Sequence, residues 1–239
     1  MIKLERQSKP KYLTPAKIKT LTDKFKADNS AIVWKSQSIG KGLLESSSYK
    51  CAYCECLLQI EDSYMQVEHF KDKDRYKDDV VNWDNLLPSC QRCNGKKGTL
   101  DVIADPIIDP FIDNPKHHLK QQAFRLYGKD SKGKTTVKKL FLNDDKRVVY
   151  PRFLASNEIT SKLGDLFENK DDLTGLRNGI AQLLQSCQSD QPYSAFVSFA
   201  LHSNPDYVDM KDTLEQNSLW DTDMNELHQK SYDLFLESR

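Results

Sequence analysis

Apolar positions change rhythm along the chain. Behind Thr14 and Pro15, the residues Ile18, Leu21 and Phe25 recur at helical spacing. Thr14 is a capping residue type, and Pro15 suits a first turn, where a backbone N–H has no helical partner to lose. The stretch "SAIVWKSQSIGKGLLESSS" predicts a second helix, interrupted near Gly40 and Gly42. Residues 51–99 lose the helical period and read as short elements punctuated by cysteine, asparagine and glycine. "DPIIDPFIDNPKHH", residues 105–118, holds three prolines and predicts an irregular wrap. "AFRLYGKDSKGKTTVKKLFLN" predicts a turn around Lys129–Gly133 and a short element ending at Asn143. From about residue 155 the helical rhythm returns, with Leu173, Leu176, Ile180, Leu183, Leu184 and Cys187 at spacings of three and four. Pro192 opens another helix, closed before Pro205. Met224, Leu227, Leu234 and Phe235 mark a last one. This tail looks too polar for a large core of its own, so it is expected to pack on the rest of the chain or on another protein.

The 239 residues suffice for one large domain or two small ones, and no internal repeat or low-complexity linker divides them. Lysine plus arginine equal aspartate plus glutamate at 35 each, so net charge names no partner. The ends differ: residues 1–26 carry eight basic residues against two acidic, and residues 203–239 nine acidic against three basic. These are either solvated helix faces or, at the basic end, a contact for nucleic acid or a partner. No stretch approaches the roughly 20 apolar residues of a membrane helix, and the N-terminus lacks the apolar run of a signal peptide. The expectation is a cytoplasmic protein with no membrane contact. In a reducing compartment its six cysteines are metal ligands or free thiols rather than disulfides.

Four of them form two matched pairs, Cys51–Cys54 and Cys90–Cys93, with 35 residues between the pairs. Two such turns supply the four thiolates of a tetrahedral zinc site. The usual gap is on the order of 15–20 residues, so something is built between these knuckles. Cys56 is either a substitute ligand for Cys54 or a small buried hydrophobe, and Cys187 lies on an apolar helical stripe. Zinc held by four thiolates has no open position, so chemistry must come from what the knuckles position. Between and beside them stand Glu68, His69, Asn85 and Asn94. Glu68 and Asn94 offer oxygen ligands suited to Mg2+ or Mn2+, and His69 can deprotonate a water. His117, His118, His202 and His228 lack such company and read as structural.

The order "VEHF…WDNLLPSCQRCNGKKG" flanked by the two CxxC pairs resembles the HNH, or ββα-metal, endonucleases over about residues 50–99. The resemblance implies an α+β protein: a mainly helical chain with an inserted ββα-metal core pinned by a four-cysteine zinc site. It divides the chain into an N-terminal helical segment (1–49), the nuclease core (50–115) and a mixed, then helical, C-terminal region (116–239). It implies a strand ending in "VEHF", Asn85 near a second strand and Asn94 on the following helix. His69 would be the general base, Glu68 and Asn94 the ligands of one catalytic ion, and Asn85 the brace of the His69 loop and ring. Arg92, Lys96 and Lys97 would contact flanking phosphates. A wider likeness, over perhaps residues 1–155, is to the HNH subunits of Septu-type anti-phage systems, including retron-associated forms. It rests on "MIKLERQSKPKYL", "CAYCE", "WDNLLPSC", "DPIIDP" and "LFLND". That likeness implies an ATPase subunit of the PtuA kind as partner, a DNA substrate and, for retron forms, a reverse transcriptase with its msDNA. One departure stands out: "KDKDRYKDDV" is charged and proline-free where family members often have a proline shortly after "EHF". Two other readings stay open, a non-catalytic zinc module binding nucleic acid or protein, and a stand-alone restriction-type nuclease.

Overall fold

In the computed structural model, which describes residues 1–60 and 63–239, the first helix forms where its cap and apolar face place it. Helix α1 spans Pro15–Ala27, and Thr14 Oγ1 accepts a hydrogen bond from Lys17 N at 3.2 Å. Helix α2 spans Gln37–Ser46 and runs through Gly40 and Gly42 without the expected interruption. A Cβ on Gly42 would come 3.0 Å from the Trp83 ring, so that glycine permits close packing rather than breaking the helix. The helix also starts later than expected, because Ser36 caps it through Ile39 N. Trp34 is thereby left outside the helix.

Strand β1, Met65–His69, pairs antiparallel with β2, Leu86–Cys90, in a register that sets Met65 opposite Cys90 and His69 opposite Leu86. Helix α3, Gln91–Lys97, follows directly, with Cys90 as its cap. The strand–loop–strand–helix order is the one the resemblance implies. The N-terminal segment clips onto it: Arg6 donates to the carbonyls of Trp83 and Leu86 at 2.9 and 2.7 Å.

The proline-rich wrap is irregular except for a single turn, α4, Pro115–His118. Strands β3, Leu119–Gln122, and β4, Arg125–Gly128, then form a hairpin whose turn is Ala123–Phe124, not Lys129–Gly133. Both turn residues hold positive φ, 47° and 63°, which their residue types do not advertise. The Gly- and Ser-rich stretch that suggested a turn instead starts helix α5, Ser131–Lys139, capped by Asp130 through Gly133 N at 2.7 Å.

Five helices complete the chain: α6 (Tyr150–Glu168), α7 (Leu173–Ser186), α8 (Ser194–His202), α9 (Pro205–Gln216) and α10 (Thr222–Tyr232). Contrary to expectation they enclose an apolar core of their own, with Leu163, Ile180, Leu184, Leu201, Met210 and Leu214 all inaccessible to solvent. The polar average hides this because the exposed faces of α7, α9 and α10 dilute their inner ones, while the short α8 is buried on most of its positions. A second core joins the cysteine knuckles to the hairpin and to Phe196 of α8, and a third packs α1 and α2 against Trp83 and Leu86. No helix among the described residues is long and apolar enough to cross a membrane.

Candidate metal centre and active-site cleft

The four cysteines of the two pairs converge. The sulfurs of Cys51, Cys54, Cys90 and Cys93 lie within 4.8 Å of one another, all buried. Four thiol donors at that spacing suit a tetrahedral zinc ion. Cys56 stands outside this set, half-buried beside it. Cys93 N donates to Cys90 Sγ at 3.4 Å, and Arg92 Nη1 to Cys93 Sγ at 3.5 Å, contacts that stabilise thiolate charge. Because Cys90 ends β2 and caps α3, the cluster stakes the strand and the helix at their junction.

Asn94 lies one helical turn beyond Cys90 and lines a cleft of about 350 Å³ together with Glu68, His69, Asp72 and Lys73. Three of the four expected catalytic side chains thus meet in one cavity. His69 Nε2 lies 2.9 Å from the Val80 carbonyl oxygen, which can only accept, so the ring proton sits on Nε2 and Nδ1 keeps its lone pair. Burial lowers the His69 pKa to about 4, so the imidazole is neutral at neutral pH. The Trp34 ring meets it edge-on, with centroids 4.7 Å apart, and Lys73 stands over Trp34 at 5.8 Å.

Glu68 is 2% exposed, and burial pushes its carboxyl up to about 7 against the opposing pull of Lys97. Lys97 Nζ lies 2.6 Å from Glu68 Oε1, a close charge contact off the angle of a good hydrogen bond, and donates to the His69 carbonyl at 2.7 Å. The side chain expected on a phosphate is therefore buried behind the site, as the counter-charge of Glu68. Arg92 is likewise engaged: besides Cys93 it donates to the Phe141 carbonyl and faces Asp144 at 3.7 Å, tying the segment after α5 to the knuckle. Lys96 reaches outward, 5.2 Å from the Phe141 ring centre.

Asn85 stands behind the cleft rather than in it. Its Oδ1 accepts from Lys71 N at 2.7 Å, and its Nδ2 donates to the carbonyls of Lys71 and Asp79, both at 3.1 Å. It braces the loop after His69, but the ring itself is held by Val80 and Trp34. The proline-free "KDKDRYKDDV" stretch is stiffened by ion pairs of Lys71 with Asp79 and Arg75 with Asp101. Sequence reasoning missed Trp34, Val80 and the true partner of Lys97. Nothing in the motif marks a tryptophan 35 positions upstream of its histidine. The adjacent lysine pair, however, puts Lys97 on a different helical face from Lys96.

The family described as HNH endonuclease matches residues 51–100. The chain is 44% identical over 241 aligned positions to the Septu protein PtuB of Bacillus thuringiensis, covering 96% of this chain and 91% of that one. It is 31% identical over 166 positions to the Septu protein PtuB of Bacillus mycoides strain KBAB4, covering 50% and 54%. No solved structure matches. With its paired knuckles, its acidic-histidine strand and near-complete coverage of the first relative, the chain belongs to the Septu PtuB family of HNH nucleases.

Proposed function

We propose that this HNH nuclease hydrolyses DNA with the help of Mg2+ or Mn2+, carries zinc on its four cysteines, and acts in anti-phage defence beside an ATPase subunit of the PtuA kind. The observation that carries the chemistry is the meeting of Glu68, Asn94 and a neutral His69 in one cleft. His69 Nδ1 takes a proton from the attacking water, while the Nε2 proton stays on the ring, donated to the Val80 carbonyl. Glu68 and Asn94 fit a hard divalent ion: both donors are oxygens, and the Asn94 carboxamide takes no side-chain partner among the described residues. Such an ion, when bound, supplies positive charge against the phosphate as negative charge builds there. Lys97 favours an ionised Glu68 despite its burial. Of the three expected phosphate contacts, outward-reaching Lys96 is the best placed.

The defence role and the ATPase partner rest on the relatives' name, Septu protein, and on the resemblance already described. Those names carry no retron, and no reverse transcriptase or msDNA is proposed as a partner. Purified protein, alone and co-expressed with the neighbouring ATPase, is incubated with plasmid and Mg2+, Mn2+ or a chelator. Cleavage that requires the divalent ion and disappears in His69→Ala is expected. Equal cleavage by wild type and His69→Ala would overturn the assigned chemistry. A non-cleaving complex that still retains DNA would favour the zinc-module reading.

A further inference from the structure

A second cavity, of about 460 Å³, shares no lining residue with the nuclease cleft. It lies between the Ala123–Phe124 turn and helices α6 and α8, and its volume falls in the range of ligand pockets, roughly 300–1,000 Å³. Phe124, Phe153, Phe196 and Phe199 line it, and no charged side chain does. The wall formed by the turn is built at some conformational cost, since a bulky residue such as Phe124 rarely adopts φ of 63°. Fully buried Arg152 holds that turn from beneath, donating to the Phe124 and Leu142 carbonyls at 3.2 and 2.9 Å. The Phe124 ring meets Phe153 edge-on at 5.4 Å.

Three polar groups in this aromatic setting lack partners. Arg152, whose Nε and Nη2 are unpaired and whose guanidinium lies 4.4 Å from the Phe196 ring centre, and the Ser156 hydroxyl are both sealed from the cavity. The Gln121 carboxamide is the one that it reaches. Ser156 is 2% exposed, and its hydroxyl makes no hydrogen bond. Gln121 is 3% exposed, and its carboxamide takes no partner among the described residues, although its backbone pairs with the C-terminal segment. The other hydroxyls are occupied: Thr160 donates to the Ser156 carbonyl and Ser203 to that of Phe199. An apolar side chain filling the cavity would leave the Gln121 carboxamide buried and unpaired, which is unfavourable. An uncharged planar ring carrying its own donors and acceptors satisfies both demands. We propose that this cavity binds a nucleobase, stacked on Phe124, Phe153 and Phe199 and read at its edge by the Gln121 carboxamide. With no cation in the lining, any attached phosphate stays outside the cavity. The base can belong to a free nucleotide or to a strand.

The test uses the full chain carrying His69→Ala, so that no probe is cut. Adenosine, guanosine, cytidine and uridine are titrated separately by saturation-transfer NMR, beside indole as a planar ring without a base edge, and beside a short single-stranded oligonucleotide. At least one nucleoside is expected to saturate the protein. Gln121→Met should weaken it about five-fold, and Phe153→Ala, at a half-exposed position, about ten-fold. An oligonucleotide binding far more tightly than its nucleoside, with the same losses in both variants, assigns the base to a strand. Comparable affinities assign it to a free nucleotide. The proposal is overturned if neither nucleosides nor oligonucleotide saturate. Binding unchanged in both variants, or indole binding as tightly as the best nucleoside, overturns it equally. None of these outcomes depends on whether the nuclease cleft cuts DNA.

Discussion

The knuckle-and-cleft region and the C-terminal helical half are both well packed, yet different forces hold them. The helical half rests on generic apolar burial, in which Leu163, Ile180, Leu184 and Met210 are interchangeable in kind. The nuclease region buries groups that are unfavourable alone: four thiols, the Glu68–Lys97 pair, and an asparagine making three hydrogen bonds to one loop. Each is tolerated only through a specific partner. Polar burial with matched partners is densest around the proposed site, although it also holds the fold elsewhere, as where Arg152 donates to the Leu142 carbonyl and Ser194 to Glu55. Single substitutions in the first region should therefore act through the partner left behind, and those in the second through the apolar volume removed.

The largest effect is expected at the knuckles. Cys90→Ser removes a ligand and the cap of α3 together. Zinc content measured by atomic absorption should drop, and soluble yield should fall further than in His69→Ala, because metal-binding energy is folding energy. A native protein free of zinc would break this side of the comparison. Next comes Lys97→Met, which leaves Glu68 buried without its counter-charge. A loss of about 3–5 kcal/mol is expected in denaturant titrations above pH 8. Without the pull of Lys97 the folded pKa of Glu68 rises above the value of about 7 that it has in the native protein. A carboxyl whose folded pKa is raised binds more protons folded than unfolded, so stability recovers as pH falls through that higher value. A pH-independent loss would contradict the charge-pair account. In the helical half, Leu184→Ala should cost about 2–5 kcal/mol by the same assay while leaving zinc content unchanged. A fall in zinc would show that the two regions are not energetically separate. The smallest effect is placed at Trp34: Trp34→Ala should lower kcat about ten-fold (~1.4 kcal/mol) with little change in KM, and Trp34→Phe should restore most of it. A change in KM alone would mean that Trp34 contacts substrate and does not steady the His69 ring.

How far this division could be read in advance depended on the kind of residue. The knuckles and the proposed catalytic set of Glu68, His69 and Asn94 stand out in the sequence, because metal ligands and catalytic groups belong to few residue types at short spacings, and the structure brings each group together. Helix α1 was legible from Thr14, Pro15 and one apolar face. The hairpin turn was not, because Ala123 and Phe124 adopt a conformation that tertiary contacts impose and residue type does not suggest. Arg92 and Lys97 were misplaced for a related reason: a basic residue near an active site looks the same in sequence whether it meets a phosphate or a buried carboxylate. The core of the helical tail was hidden by averaging over helix faces. Trp34 was invisible because its partner His69 is brought to it only by the folding of α1 and α2 around the loop.

The central claim is that His69, fixed through Nε2, acts through Nδ1 as the base of the cleft. Its most direct test is single-turnover plasmid cleavage by His69→Gly with and without added imidazole. The account predicts a loss on the order of 10²–10⁴-fold, partly restored by imidazole with saturation and not restored by a non-basic isostere such as thiophene. Cleavage by His69→Gly at the wild-type rate would contradict it.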